Sequence, residues 1–266
     1  MPTAAQQLKH RVEAAVTRAF TTLLRLLGLR EQVIAARHAV WRRRRRRAEA
    51  RGSDRFSRPA LHGMDMTIDA VVDRDGGFFV EAGANDGFTQ SNTYWLERFR
   101  GWNGILVEPM PAHYEECLLE RPAATIVNAA LVPEAAAGQT LMMQFGDLRS
   151  SVQGVHPEGE QEWVKPGLVL GWRDPHEVEV PARTLSSILD EHDAPEVDLL
   201  SLDVEGFEPQ ALRGLDLERH APRWIVVEIH DLEAGREAIE EVLGNRYSLE
   251  AQISPLDLLY RRADLA

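Results

Sequence analysis

One cysteine, Cys117, stands in 266 residues, so no intramolecular disulfide can form, and a reducing compartment is expected. Cys117 sits beside Leu118 and Leu119 in a helical pattern and reads as a small, semi-buried hydrophobe rather than a nucleophile. No apolar run reaches the ~18 residues of a membrane-spanning helix, and the N-terminus lacks the apolar core of a secretory signal. The chain is expected to be cytoplasmic. Positive charge is scarce beyond the front end. Residues 1–60 carry 15 Lys+Arg against 4 Asp+Glu, whereas the remaining 206 hold 15 against 38. An acidic body of net −23 repels phosphates, which excludes broad nucleic-acid binding there.

The composition, 44% hydrophobic and 27% charged, suits one sizeable α/β domain with an appendage. Residues 1–60 read as a basic, largely helical extension ending in a linker at Arg51 to Pro59, and 61–266 as the main domain. From Gln7 to Leu27 apolar residues recur every three or four positions between basic ones, an amphipathic helix. Helical pattern resumes after Gly28 and runs into six arginines, Arg42 to Arg47. Residues 7–47 are therefore candidates for peripheral contact with an anionic membrane or a partner, against the plainer reading of a loosely ordered, solvated extension that packs on its own domain or on a second copy.

In the main domain, apolar runs alternate with helical patterns. Phe78 to Val80, Gly104 to Glu108, Ala124 to Asn128, Asp198 to Asp203 and Trp224 to Glu228 read as strands. Helices are expected at Met64 to Val72, Ser91 to Phe99, Pro109 to Leu119, Leu185 to Leu189, Pro209 to Leu215 and Glu233 to Leu243. The alternation implies a mostly parallel sheet with helices on both faces. Tyr247 to Ala251 and Leu258 to Arg261 suit a terminal hairpin, Leu141 to Phe145 a further strand and Val178 to Val180 a short edge strand. Residues 146–176, rich in Gly, Pro, Trp and charge, have the profile of a lid-like insertion, whose His156, Trp163 and Trp172 are candidates to stack on an acceptor.

Four acids stand at the C-terminal ends of the parallel strands: Glu81, Glu108, Asp203 and Glu228. Ligands of open parallel sheets bind outside those ends. After Glu81 comes a glycine loop holding Gly83 and Gly87, and about 20 residues later Glu108 is placed to accept ribose hydroxyls. The dinucleotide pattern G-x-G-x-x-G fails, because Asn85 and Phe88 stand where its second and third glycines belong. Glu81 also repels a pyrophosphate but suits the amino group of a methionyl moiety. S-adenosylmethionine is favoured over NAD.

Asp203-Val-Glu-Gly206 follows an apolar strand; one of Asp203 and Glu205 is expected to line the pocket and the other to cap the helix near Phe207. His230, at a strand end, suits removal of a hydroxyl proton. Asp203, Glu228 and His230 together are candidate ligands of a divalent metal.

The segments Phe79 to Gly87 with Ser91-Asn92-Thr93, Val107-Glu108-Pro109, Ser150-Ser151, Val180 to Leu189 and Asp198 to Glu208 resemble the FkbM family of methyltransferases. The resemblance spans about Phe78 to His230, and its most specific part is Asp198 to Glu208. It implies a class I, Rossmann-like methyltransferase fold with a terminal antiparallel strand, using S-adenosylmethionine to methylate a hydroxyl of a sugar, glycan or other small molecule. Glu81, Gly83 and Asn85, with Ala84, Gly87 and Ser91 around them, are implied beside the methionyl part, Glu108 on the ribose and Asn128 near the adenine. Asp203 falls near the transferred methyl, with His230 and Glu205 as its catalytic companions. The competing readings are a non-catalytic binding protein of the same fold and an NAD(P)-dependent oxidoreductase.

Overall fold

The protein was analysed as a computed structural model that describes residues 22–24, 26–156, 159–164 and 174–265. Most of the amphipathic pattern between Gln7 and Leu27 lies outside the described residues, as does Trp172.

The central sheet is built from β1 (Phe78–Ala82), β2 (Asn103–Val107), β3 (Thr125–Val127), β8 (Leu199–Leu202), β9 (Trp224–Glu228), β10 (Tyr247–Gln252) and β11 (Asp257–Arg262), in the order β10-β11-β9-β8-β1-β2-β3. Strands β1, β2, β3, β8 and β9 run parallel, while β11 is antiparallel to both β9 and β10. The alternation of side chains along each strand feeds two cores. Val80, Ile105, Leu200 and Val227 face one side, under α5 (Leu185–Glu191), α6 (Glu208–Leu212) and α7 (Ala234–Leu243). Phe79, Leu106, Leu199 and Val226 face the other, against α2 (Met64–Val72), α3 (Tyr94–Phe99) and Cys117 of α4 (Pro111–Glu120). The expected α/β class I architecture is therefore present, with helices on both faces and an antiparallel strand near the end.

Sequence order reverses between β1 and β8, so the connections that follow them leave in opposite directions and open a crevice beyond their C-terminal ends. At its mouth lies a second sheet of β4 (Ala130–Leu131), β7 (Glu177–Arg183), β5 (Thr140–Gln144) and β6 (Ser151–Val152), in the order β4-β7-β5-β6. Here β7 is interior, paired with β4 and β5, rather than the short edge strand expected at Val178 to Val180. Its partner β4 is only two residues long and carries no periodic signal of its own.

The helix α1 (Arg30–Glu49) carries the six arginines and packs on the main domain. Arg45 is buried, donating to the Tyr94 hydroxyl at 2.9 Å and pairing with Glu120. Glu49 accepts from Ser57, Tyr94 and Arg98. Ser57 is fully buried, so the segment read as a linker is a packed strap. Ser57 satisfies Glu49, and Asp54 accepts from Arg58 and Trp95. Arg43, Arg44 and Arg47 remain exposed.

Candidate functional site

The crevice holds about 910 Å³ of non-atom space, part of it open to solvent. Its floor is the glycine loop after β1. Gly83 has φ +81°, and a Cβ there would lie 1.7 Å from the Asp203 carbonyl oxygen, so only glycine lets the ends of β1 and β8 come this close. The Gly83 amide donates to the Val107 carbonyl, and Asn85, at φ +49°, turns its amide onto Glu108 Oε2 at 2.8 Å. Glu108 Oε1 accepts from Met110 N at 2.8 Å. Burial pushes the Glu108 carboxyl up to about 7, against the pull of His113. Each Glu108 oxygen keeps a lone pair, the geometry for a pair of vicinal hydroxyls.

His113 lines this end of the cleft and carried no signal in the sequence beyond its place on the helix after Glu108-Pro109. Burial opposes its charge, yet Asp147 at 3.5 Å, Glu116 at 3.3 Å and nearby Glu108 outweigh burial and raise it to about 10. It is a fixed imidazolium at neutral pH.

Glu81 borders the cleft, but its carboxylate turns inward. One oxygen accepts from the Asn92 amide at 2.8 Å; the other accepts from Ser91 Oγ at 2.8 Å, Thr93 Oγ1 at 2.6 Å and Arg121 Nη1 at 3.4 Å. Arg121 is itself fully buried and pairs with Glu97 at 2.7 Å. Oε2 is thereby filled, while Oε1 accepts a single hydrogen bond. One expectation is corrected: Ser91 to Thr93 are held in a loop rather than a helix, so α3 begins only at Tyr94. Gly87 is packed over Arg121 and Cys117 and, unlike Gly83, Ala84, Asn85, Ser91 and Glu108, is absent from the cleft wall. Asn128 is also off the wall. Its Nδ2 donates to the Glu108 and Pro109 carbonyls, both at 2.8 Å, and braces the turn that carries Glu108; Ala129 to Leu131 provide the apolar wall instead.

The opposite end of the cleft is acidic. Asp203 and Glu205 both line it, contrary to the expectation that one would point away and cap a helix. Glu205 has φ +56°, which ends the alternation of the strand, and Glu208 does the bracing, its Oε1 accepting from Val204 N and Gly206 N at 3.0 Å each. Burial, reinforced by Glu205, pushes the Asp203 carboxyl up to about 7; burial, reinforced by Glu208, pushes Glu205 up to about 8. Glu228, buried beside Asp203, is raised too, so this pair retains a proton at neutral pH. Asp203 Oδ1 is buried with no hydrogen-bond partner among the described residues.

His230 is not on the wall of the cleft. Its Nε2 lies 3.3 Å from Glu205 Oε2 and 3.2 Å from Glu228 Oε2, and Trp163 meets its ring edge-on at 4.8 Å. The trio whose donor atoms converge is thus Glu205, Glu228 and His230, with Asp203 adjoining, rather than Asp203, Glu228 and His230. Trp163 stacks on His156 at 3.8 Å, and His156 covers Gly206, so these two lid aromatics pack on each other and on the acidic turn. The cleft wall on this side comes from Leu148, Ser150 and Val152.

The profile of the methyltransferase FkbM domain matches residues 81–251. No curated protein sequence matches the chain. Among solved structures, a TehB-like SAM-dependent methyltransferase from Corynebacterium glutamicum is similar at 15% identity and a TM-score of 0.42, covering 86% of this chain and 99% of its own. A methyltransferase FkbM from Methylobacillus flagellatus has 16% identity and a TM-score of 0.43, covering 71% of this chain, which spans only 44% of that one. The architecture rests on the strand order and the chemistry on the residues.

Proposed function

Because the chain belongs to the FkbM methyltransferase domain family, we propose that it transfers the methyl group of S-adenosylmethionine to a hydroxyl of a sugar, glycan or other small molecule. The observation that carries this reading is the buried Asp203 carboxyl, one oxygen unpartnered, on the same cleft as a loop and an acid suited to a nucleoside. Glu108 takes the ribose hydroxyls, the backbone of Gly83 to Asn85 lies under the methionyl chain, and Ala129 to Leu131 flank the base.

The sulfonium supplies an activated methyl, so the protein's contribution is alignment and one proton transfer. The acceptor oxygen forms its bond to the methyl carbon as the carbon–sulfur bond breaks in line, the sulfur leaving as a neutral thioether. The hydroxyl proton passes to Asp203, whose carboxyl, near 7, is both ionisable and basic enough at neutral pH. The negative end of the cleft disfavours phosphorylated and carboxylate acceptors.

Calorimetry tests the cofactor: S-adenosylmethionine and S-adenosylhomocysteine bind and NAD does not. Accumulation of S-adenosylhomocysteine with a hydroxylated acceptor separates an enzyme from a binding protein of the same fold. Absence of binding to either sulfur ligand overturns the proposal.

A further inference from the structure

Behind the acceptor end of the cleft, three side chains from two strand ends point their lone pairs at one spot. Glu205 Oε2, Glu228 Oε2 and His230 Nε2 are buried atoms, none with a hydrogen-bond partner among the described residues, although Nε2 is 3.3 and 3.2 Å from the two oxygens. An ion pair between an imidazolium and two carboxylates would orient an N–H along one of these vectors, and here neither contact has hydrogen-bond geometry. The separations match a different arrangement. Ligands ~2.1 Å from a shared cation stand ~3.0 Å apart at the edge of an octahedron and ~3.4 Å apart at the edge of a tetrahedron. All the donor atoms of the trio lie within 4.8 Å of one another.

Charge argues the same way. Glu205, Glu228 and the adjoining Asp203 put three carboxyls around one spot, answered among the described residues by His230 and, toward Glu205, Arg149. Buried carboxylates in such excess need a proton, a cation or both. A second trio of donor atoms, His38, Asp86 and Glu116, is committed elsewhere: Asp86 accepts from Phe88 N and Thr89 N, and Glu116 pairs with His113.

We infer that Glu205, Glu228 and His230 form a binding site for one divalent transition cation of the Mn²⁺ or Zn²⁺ type. One imidazole with two carboxylates favours such borderline ions over Mg²⁺, which prefers an all-oxygen shell. The strand end supplies Glu228 and His230, the left-handed turn at Glu205 brings the third ligand across, and Trp163 against the imidazole edge fixes the ring. Glu205 also faces the cleft, so an acceptor hydroxyl entering there would lie beside the ion. Occupancy of the site does not depend on the acceptor proposed above.

The test is titration of the full-length, metal-free chain with Mn²⁺, followed by electron paramagnetic resonance, with Zn²⁺ as competitor and thermal melting read in parallel. The expected result is one ion per chain and a melting temperature raised by Mn²⁺. Binding weakens tenfold or more in Glu228→Gln and His230→Ala and is unchanged in His192→Ala, an exposed histidine elsewhere. Glu228→Gln conserves volume and removes a carboxylate ligand, so it reports on binding even where His230→Ala disturbs folding. Sub-stoichiometric binding by the parent chain, or equal binding in parent and Glu228→Gln, overturns the inference. Failure of the methyl-transfer proposal reads differently, as absent S-adenosylmethionine binding with the Mn²⁺ stoichiometry intact.

Discussion

Two acids at neighbouring strand ends show opposite fates. Glu81, at the end of β1, is surrounded by donors from Ser91, Asn92, Thr93 and Arg121. Asp203, at the end of β8, directly beside it in the sheet, has a buried oxygen with no partner and two more carboxyls close by. A buried carboxylate ringed by donors holds structure; a buried oxygen with no donor is available for a ligand or a proton. The cofactor half of the cleft is thus rigid and neutralised, and the acceptor half is held under electrostatic tension.

That contrast breaks most visibly at Arg121. Arg121→Met leaves Glu81 and Glu97 buried without their cation and is expected to cost about 3–5 kcal/mol, measured by urea unfolding. A loss below ~1 kcal/mol would mean that the network is not the brace described here. Asp203→Asn, on the unfilled side, should lower turnover by ~10²–10⁴-fold while the dissociation constant of S-adenosylmethionine moves little. Equal effects on binding and turnover would place Asp203 among the cofactor contacts instead.

The next effect is one of pH. Asp203, Glu205, Glu208 and Glu108 have folded-state pKa values raised above the ordinary carboxyl range, chiefly by burial. A raised acid holds more protons folded than unfolded, so its contribution is present at low pH and is lost as pH rises from ~4 through the folded value. Stability of the metal-free protein should therefore fall between pH 5 and 8, by at most ~1.4 kcal/mol per pH unit for each such group. Glu205→Gln should flatten the slope. A stability that rises across that window would refute the raised values at the acidic end.

How much of this was legible in the sequence follows the same division. Strand ends announce themselves through apolar runs that stop at an acid, so Glu81, Glu108, Asp203 and Glu228 were found, as were the parallel sheet and the terminal hairpin. Which acid is filled depends on Arg121, 40 residues from Glu81 in the chain and without a pattern of its own. Of the second sheet, β5 and part of β7 are legible, while β4 and β6, two residues each, leave no pattern. Whether Glu205 pointed into the cleft turned on a left-handed φ at a non-glycine residue, which sequence pattern does not reveal.

Asn128 gives the smallest and sharpest comparison, because it tests whether the cofactor half is built of braces or of contacts. Its amide spans the Glu108 and Pro109 carbonyls and does not reach the cleft wall. Asn128→Ala should then cost about 1–2 kcal/mol of stability through two lost hydrogen bonds, with S-adenosylmethionine affinity reduced by no more than ~3-fold, the effect of a slightly loosened Glu108 turn. A residue that hydrogen-bonds an adenine edge would behave in the reverse manner: stability nearly unchanged and affinity down by tenfold or more, specifically against a purine analogue lacking the exocyclic amine. Calorimetry with the two ligands on parent and variant, beside a urea melt of each, distinguishes a brace from a contact at this position.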